Sequence, residues 1–90
     1  MFKTVNEFEK AKNDVIKLIH EKNSEFRAHI ELDDIDLHDI LDHLISEKLI
    51  LGVVVSLDDS GKLILTENHP RLSYDGLIFR EEETGKSWAL

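Results

Sequence analysis

Between Leu37 and Leu49 the apolar residues fall at Leu37, Ile40, Leu41, Leu44, Ile45 and Leu49. This i, i+3, i+4, i+7, i+8 spacing gathers them on one side of a helix, because a helix turns once in about 3.6 residues. His38, Asp39, Asp42, His43, Ser46 and Glu47 take the opposite side. Asp34 or Asp36 can cap the start of this helix, and Lys48 suits the negative end of its dipole. The period then changes. Leu51-Gly52-Val53-Val54-Val55-Ser56 is short and rich in β-branched residues, which predicts a strand. Asp58-Asp59-Ser60-Gly61 predicts a turn and Lys62 to Thr66 a returning strand, so the three form a hairpin.

Upstream, Thr4 and Glu7 have the spacing of a capping box, predicting a helix from Val5 to Asn23 or Ser24. Phe8, Ala11, Val15, Leu18 and Ile19 form its inward side, with Lys10, Lys12, Asn13 and Lys17 on other faces. Phe26, Ala28 and Ile30 alternate with Arg27 and His29 as in a short half-buried strand. Glu31 to Asp36 reads as an acidic turn with room for one helical turn.

Downstream, Glu67 to Arg71, with Pro70, predicts a loop. Ser73 can cap a last helix that turns Leu77, Ile78 and Phe79 inward, with Gly76 a weak point inside it. Thr84-Gly85-Lys86 reads as the end of that helix and a turn, residues 84–90 as a flexible tail, and Ser87-Trp88-Ala89-Leu90 as either folding back or fraying. The expected core joins Leu41, Leu44, Ile45, Val54, Ile64 and Phe79 to Phe8, Val15 and Ile19.

Ninety residues suffice for one α+β domain spanning 1–90, and 41% hydrophobic with 33% charged content suits a globular chain. With no cysteine, disulfides and thiolate metal sites are excluded. No apolar run nears the ~20 residues of a membrane span, and the N-terminus lacks a signal-peptide core, so a cytoplasmic location is expected. The net charge of −8 is concentrated in the middle third, where Lys48 alone opposes nine Asp and Glu residues.

The order helix, short strand, acidic turn, helix, hairpin, helix resembles the winged-helix superfamily. Arg71-Leu72-Ser73-Tyr74-Asp75-Gly76-Leu77-Ile78-Phe79 is similar to the entry into the last helix of many such domains. The stretches Asp34 to Leu44 and Leu49 to Val53 resemble small YjcQ-type proteins of Gram-positive bacteria and their prophages. The resemblance implies a single winged-helix domain and supplies no catalytic residues. In DNA-binding winged helices the second helix of the motif enters the major groove with Arg, Lys, Asn or Gln, and the wing adds basic residues. Here that helix offers Asp39, Asp42, His43 and Ser46, and the wing tip offers Asp58 and Asp59, with Lys62 the one basic residue of the predicted hairpin.

Chemistry-bearing patterns are sparse. His38, Asp39, Asp42 and His43 form i, i+4 pairs, but a metal needs three or four convergent groups and no known ligand spacing is present. Gly85-Lys86-Ser87 lacks the glycine five residues earlier that a phosphate loop requires, since Arg80 stands there. No serine lies in a Gly-x-Ser-x-Gly elbow. These patterns lead to an expectation of no catalytic residues, no metal and no cofactor. The expected role is a regulatory or protein-interaction module, with an unknown partner bearing a basic surface. Its expected contact surface is Asp39, Asp42, His43, Ser46, Glu47, Asp58 and Asp59, with Trp88 as a further interface anchor. The alternative is a transcriptional regulator binding DNA through another face.

Overall fold

The first helix, α1 (Val5–Lys22), begins where the local chemistry says it should. Thr4 is extended, its hydroxyl accepts the Glu7 N–H at 3.1 Å, and the Glu7 carboxylate accepts the Lys3 N–H at 2.7 Å. The computed structural model describes residues 1–88, with side chains as far as Glu82. Val15, Ile16 and Ile19 of α1 are buried. So is Lys12, which the sequence placed on an outer face. Its ammonium lies 3.1 Å from the Glu9 carboxylate and 4.8 Å from the centre of the Phe79 ring, so the charge stays paired while the stem fills space.

Asn23 closes α1 in the left-handed region, at φ 52°. The expected strand at Phe26–Ile30 is absent; a 3-10 helix, Asn23–His29, stands there. Phe26 is wholly buried whereas Ala28 is exposed, so the alternation carried a single anchor instead of a buried strand face. One anchor holds a tight coil as well as it would hold a strand.

The second helix, α2 (Asp34–Ser46), starts earlier than the apolar pattern implied, because Asp33 rather than Asp34 or Asp36 caps it. The Asp33 carboxylate accepts the Asp36 N–H at 2.8 Å. Leu37, Ile40, Leu41 and Leu44 are buried as expected, and Ile45 partly so. The helix ends in a Schellman motif with Lys48 left-handed at φ 60°. Lys48 N–H donates to Ile45 O at 3.0 Å and Leu49 N–H to Leu44 O at 2.9 Å, turning Leu49 back into the core.

The hairpin consists of β1 (Ile50–Leu57) and β2 (Leu63–Leu72), an antiparallel pair and, among the described residues, the whole of the sheet. Glu67 to Arg71 is therefore strand and not loop, which adds Arg71 to the hairpin as a second basic residue, at its base and far from Lys62 at the tip. Leu51 pairs with Arg71 and Val53 with Glu67, so Gly52 alone faces Asn68, His69 and Pro70. Gly52 has φ +77°, and any Cβ there would collide with the Asn68 and His69 carbonyls. The irregularity reverses the inside–outside alternation. Ile50 and Val53 share the buried face with Leu72, which lies across from Ile50, and with Leu63 at the far end of β2, whereas Val54 is 66% and Ile64 49% exposed. The expected core membership of Val54 and Ile64 is corrected accordingly.

The last helix, α3 (Tyr74–Trp88), is capped by Ser73, whose hydroxyl accepts the Gly76 N–H at 3.0 Å. It runs through Thr84 and Gly85 instead of ending there, and Ala89 and Leu90 lie outside the described residues. Gly76 is a point of close approach and not a weak point: a side chain there would strike the Leu49 carbonyl. Of the three residues expected inward, Phe79 packs on the core, while Leu77 and Ile78 are exposed because the glycine sets which side of α3 meets the hairpin base. The result is an α+β arrangement of winged-helix-like order, with the 3-10 helix in place of the expected short strand and one core drawn from α1, the 3-10 helix, α2 and the hairpin. Among the described residues no helix is long and apolar enough to cross a membrane.

Candidate functional site

The outer side of α2 follows from its inner side. Once Leu37, Ile40, Leu41 and Leu44 point into the core, Asp39, Asp42 and Ser46 are left at i, i+3 and i+7 on the exposed flank. Glu47 continues that flank at the C-cap. The Asp39 side chain is 51% exposed, with its carboxylate 3.3 Å from His38 Nδ1. Among the described residues, the carboxylates of Asp42 and Glu47 have no hydrogen-bond or ion-pair partner. His43 belongs elsewhere. Its ring meets Phe8 edge-on at 5.2 Å, and Phe8 meets Phe2 in the same way at 5.2 Å, so the imidazole fills the seam between α1 and α2.

The two wing-tip acids also separate. Asp58 Oδ1 accepts the Ser60 hydroxyl at 2.7 Å, the Ser60 N–H at 2.8 Å and the Lys62 N–H at 2.9 Å. The Ser60 hydroxyl above all, and then the Lys62 N–H, hold this carboxyl below the ordinary carboxylate range. Asp58 builds the turn, whereas Asp59 is exposed beside it. The tip lies against the start of α2: Asp34 Oδ2 accepts the Leu63 N–H at 3.0 Å, and Gly61 faces the Ile35 side chain. Asp58 and Asp59 therefore sit near the first turn of α2. Ser46 and Glu47 sit at its other end, roughly 18 Å away along the axis at 1.5 Å per residue. Asp39 and Asp42 lie between.

Three further acids have roles that differ from the sequence expectation, in which Asp34 or Asp36 was the cap. Asp33 caps α2, Asp34 joins β2 and also lies 3.2 Å from Arg27, and Asp36 accepts the Met1 ammonium at 3.0 Å. That hydrogen bond holds the ammonium above its ordinary pKa. A signal for the cap was present: Asp33 precedes Asp36 by three residues, the spacing of a capping box.

Among the described residues no three His, Asp or Glu side chains are grouped to hold a metal ion. The side chain of Trp88, the expected interface anchor, lies outside the described residues. Two concavities were not foreseen. One, of about 410 Å³, lies between Asn23 and the irregular stretch Asn68–Arg71 of β2, where the Asn23 amide donates to Pro70 O at 3.0 Å and pins the two together. The other, of about 470 Å³, lies between α1 and residues 29–32. Comparison with protein-family models, with curated proteins and with solved structures found no match to this chain. What the α2 flank can do chemically is therefore read from its carboxylates: attract cations at long range and accept hydrogen bonds from them on contact.

Proposed function

We propose that this protein is a non-enzymatic interaction module that docks a basic surface of a partner protein on the outer flank of α2. The observation that supports it is the arrangement of Asp39, Asp42 and Glu47 along a helix with no Lys or Arg between Asp34 and Ser46. In the winged-helix order this helix occupies the place of the groove-reading helix. Carboxylates there repel phosphates, and among major-groove edges only the cytosine N4 and adenine N6 amino groups can donate to an Asp, while the acceptors of guanine and thymine cannot. Among the described residues two of the acids, Asp42 and Glu47, have no hydrogen-bond or ion-pair partner, which leaves each carboxylate able to accept from an incoming Lys or Arg.

The test uses a variant with Asp39→Asn, Asp42→Asn, Glu47→Gln and Asp59→Asn, which removes four charges and leaves the structural carboxylates Asp33, Asp34, Asp36 and Asp58 in place. Affinity capture from the native cytoplasm should recover a partner with the wild-type chain and lose it with the variant. The association rate with that partner should fall as salt rises, since the attraction is screened over about 8–10 Å. Retained binding by the variant would leave the flank to solubility alone. A duplex-DNA titration at ~50 mM salt, where phosphate contacts are strongest, should leave the amides of Asp39 to Glu47 unshifted. Shifts there that vanish with added salt would turn the reading into a DNA-binding regulator.

A further inference from the structure

The chain between the 3-10 helix and α2 is extended at both of its ends. Ile30 (φ −101°, ψ 129°) and Asp33 (φ −71°, ψ 172°) are both extended. Ile30 N–H donates back to Arg27 O at 3.2 Å, and Asp33 O accepts from Leu37 N–H at 2.9 Å. Between them, the N–H and C=O groups of Glu31 and Leu32 meet no partner among the described residues, and the sheet contains only β1 and β2. Extended backbone with open donors and acceptors is a template for an added strand.

A groove of about 470 Å³ runs beside this segment, against the C-terminal half of α1. Val15, Leu18, Ile30 and Leu32 give it an apolar floor continuous with the core. Its rim carries three exposed carboxylates, Asp14, Glu21 and Glu31, against the single ammonium of Lys17 and the imidazole of His29. Each part limits the occupant. A helix would leave the open backbone unused, an apolar small molecule would leave the carboxylates unused, and an anion would be repelled. An extended peptide uses all three: backbone to backbone, an apolar side chain on the floor, and Lys or Arg side chains to the rim.

We infer that this groove binds an extended basic segment of a partner protein by strand addition along residues 30–32. The site shares no residue with the α2 flank and goes beyond the function proposed for it.

The probe is the acetylated, amidated hexapeptide Lys-Val-Lys-Leu-Lys-Val, titrated into the ¹⁵N-labelled full chain at ~50 mM salt, where rim attraction is little screened. Saturable shifts should centre on Glu31, Leu32 and Leu18, with slowed hydrogen exchange at the amide of Glu31 or of Leu32 but not both, since successive N–H groups of a strand point to opposite edges. The same peptide N-methylated at alternate backbone amides keeps its charge and apolar groups but loses one hydrogen-bonding edge. It should bind at least about tenfold more weakly, as main-chain pairing is the source of affinity in this mode. Asp14→Lys with Glu21→Lys and Glu31→Lys should cost at least about tenfold as well, by like-charge repulsion, with the helical circular dichroism retained. Asp42→Asn with Glu47→Gln should leave peptide affinity unchanged, which keeps this test separate from that of the α2 flank. Equal binding of the N-methylated peptide, or no saturable binding up to ~1 mM, a bound of only about −4 kcal/mol, would overturn the inference. Shifts centred on Asp39 to Glu47 would overturn it too, while supporting the α2 flank as the docking surface.

Discussion

Asp34 and Asp42 stand about two turns apart on one helix and differ in almost everything but residue type. Asp34 accepts a backbone hydrogen bond from Leu63 and lies beside Arg27, so it fixes the start of β2 to the start of α2. Asp42 has no partner among the described residues. The same contrast divides the wing tip, where Asp58 holds three hydrogen-bond donors and Asp59 is exposed. A block of negative charge is therefore two populations. Acids that stand where backbone N–H groups lack partners are consumed by the fold, and acids on the flank remain available. Net charge counts both alike, so a functional reading has to rest on the second population alone.

The division presumes that α2 is faced correctly, and the largest expected effect tests that. Leu44 is wholly buried, so Leu44→Ala should cost about 2–5 kcal/mol in chemical denaturation, from lost transfer energy and the cavity left behind. A cost below ~0.5 kcal/mol, the range of ordinary surface changes, would mean that the outer flank has been misidentified. Next comes Asp34→Ala, expected to cost about 1–3 kcal/mol because the part-buried Leu63 N–H loses its acceptor. The Arg27 pair adds little to that figure, as its side chains are 41% and 38% exposed and the attraction is screened by water. Asp34→Asn, which keeps an acceptor oxygen, should restore most of the loss. Equal damage from Asn and Ala would point to charge and not to the hydrogen bond.

Smaller effects follow from the caps and the turn. Asp33→Ala should cost about 1 kcal/mol, the usual value of an N-cap, and Asp33→Ser should be nearly neutral. A neutral Asp33→Ala would move this residue into the available population. Asp58 is checked by pH. Its pKa is depressed in the folded chain, so its contribution is complete above the ordinary carboxylate pKa of about 4 and is lost as pH falls through the lower, folded value. The Ser60 amide shift should titrate in that acid range and stop doing so in Asp58→Ala. An Asp58 carboxyl titrating at or above the ordinary value would place it with the exposed acids.

Much of the fold was legible because one local signal settles it. The spacing Leu37, Ile40, Leu41, Leu44 reads only as a helix face, and Ser73 was recognisable as a cap from its place before an apolar run. What failed needed distant partners. Gly52 could be seen as a glycine in a strand, but the three residues opposite it became visible only with the register, and they decide whether Val53 or Val54 is inside. Phe26 alternated correctly and still formed a 3-10 helix, since burial of one ring does not specify a strand. Of the candidate site, Asp39, Asp42, Ser46 and Glu47 were readable as one flank. The departure of His43 to the Phe8 seam, and of Asp58 to its turn, depended on contacts that periodicity does not contain.

The smallest expected effect bears most directly on function. Asp42→Asn with Glu47→Gln removes two exposed charges from a chain at −8 without removing any hydrogen bond among the described residues. Stability should change by no more than about 0.5 kcal/mol. The sign should be a gain, because like charges on the α2 flank and its acidic neighbours repel one another in the compact state. That gain is electrostatic, so it should shrink when denaturation is repeated at ~1 M salt, where the Debye length falls to about 3 Å. A loss beyond ~1 kcal/mol at either salt would show that these carboxylates have a structural duty like that of Asp34, and the distinction between the two populations would collapse. A small gain that salt abolishes would establish that the chain retains Asp42 and Glu47 at a cost to its own stability. Residues kept on those terms serve solubility or a partner, and the docking experiment on the same flank separates the two.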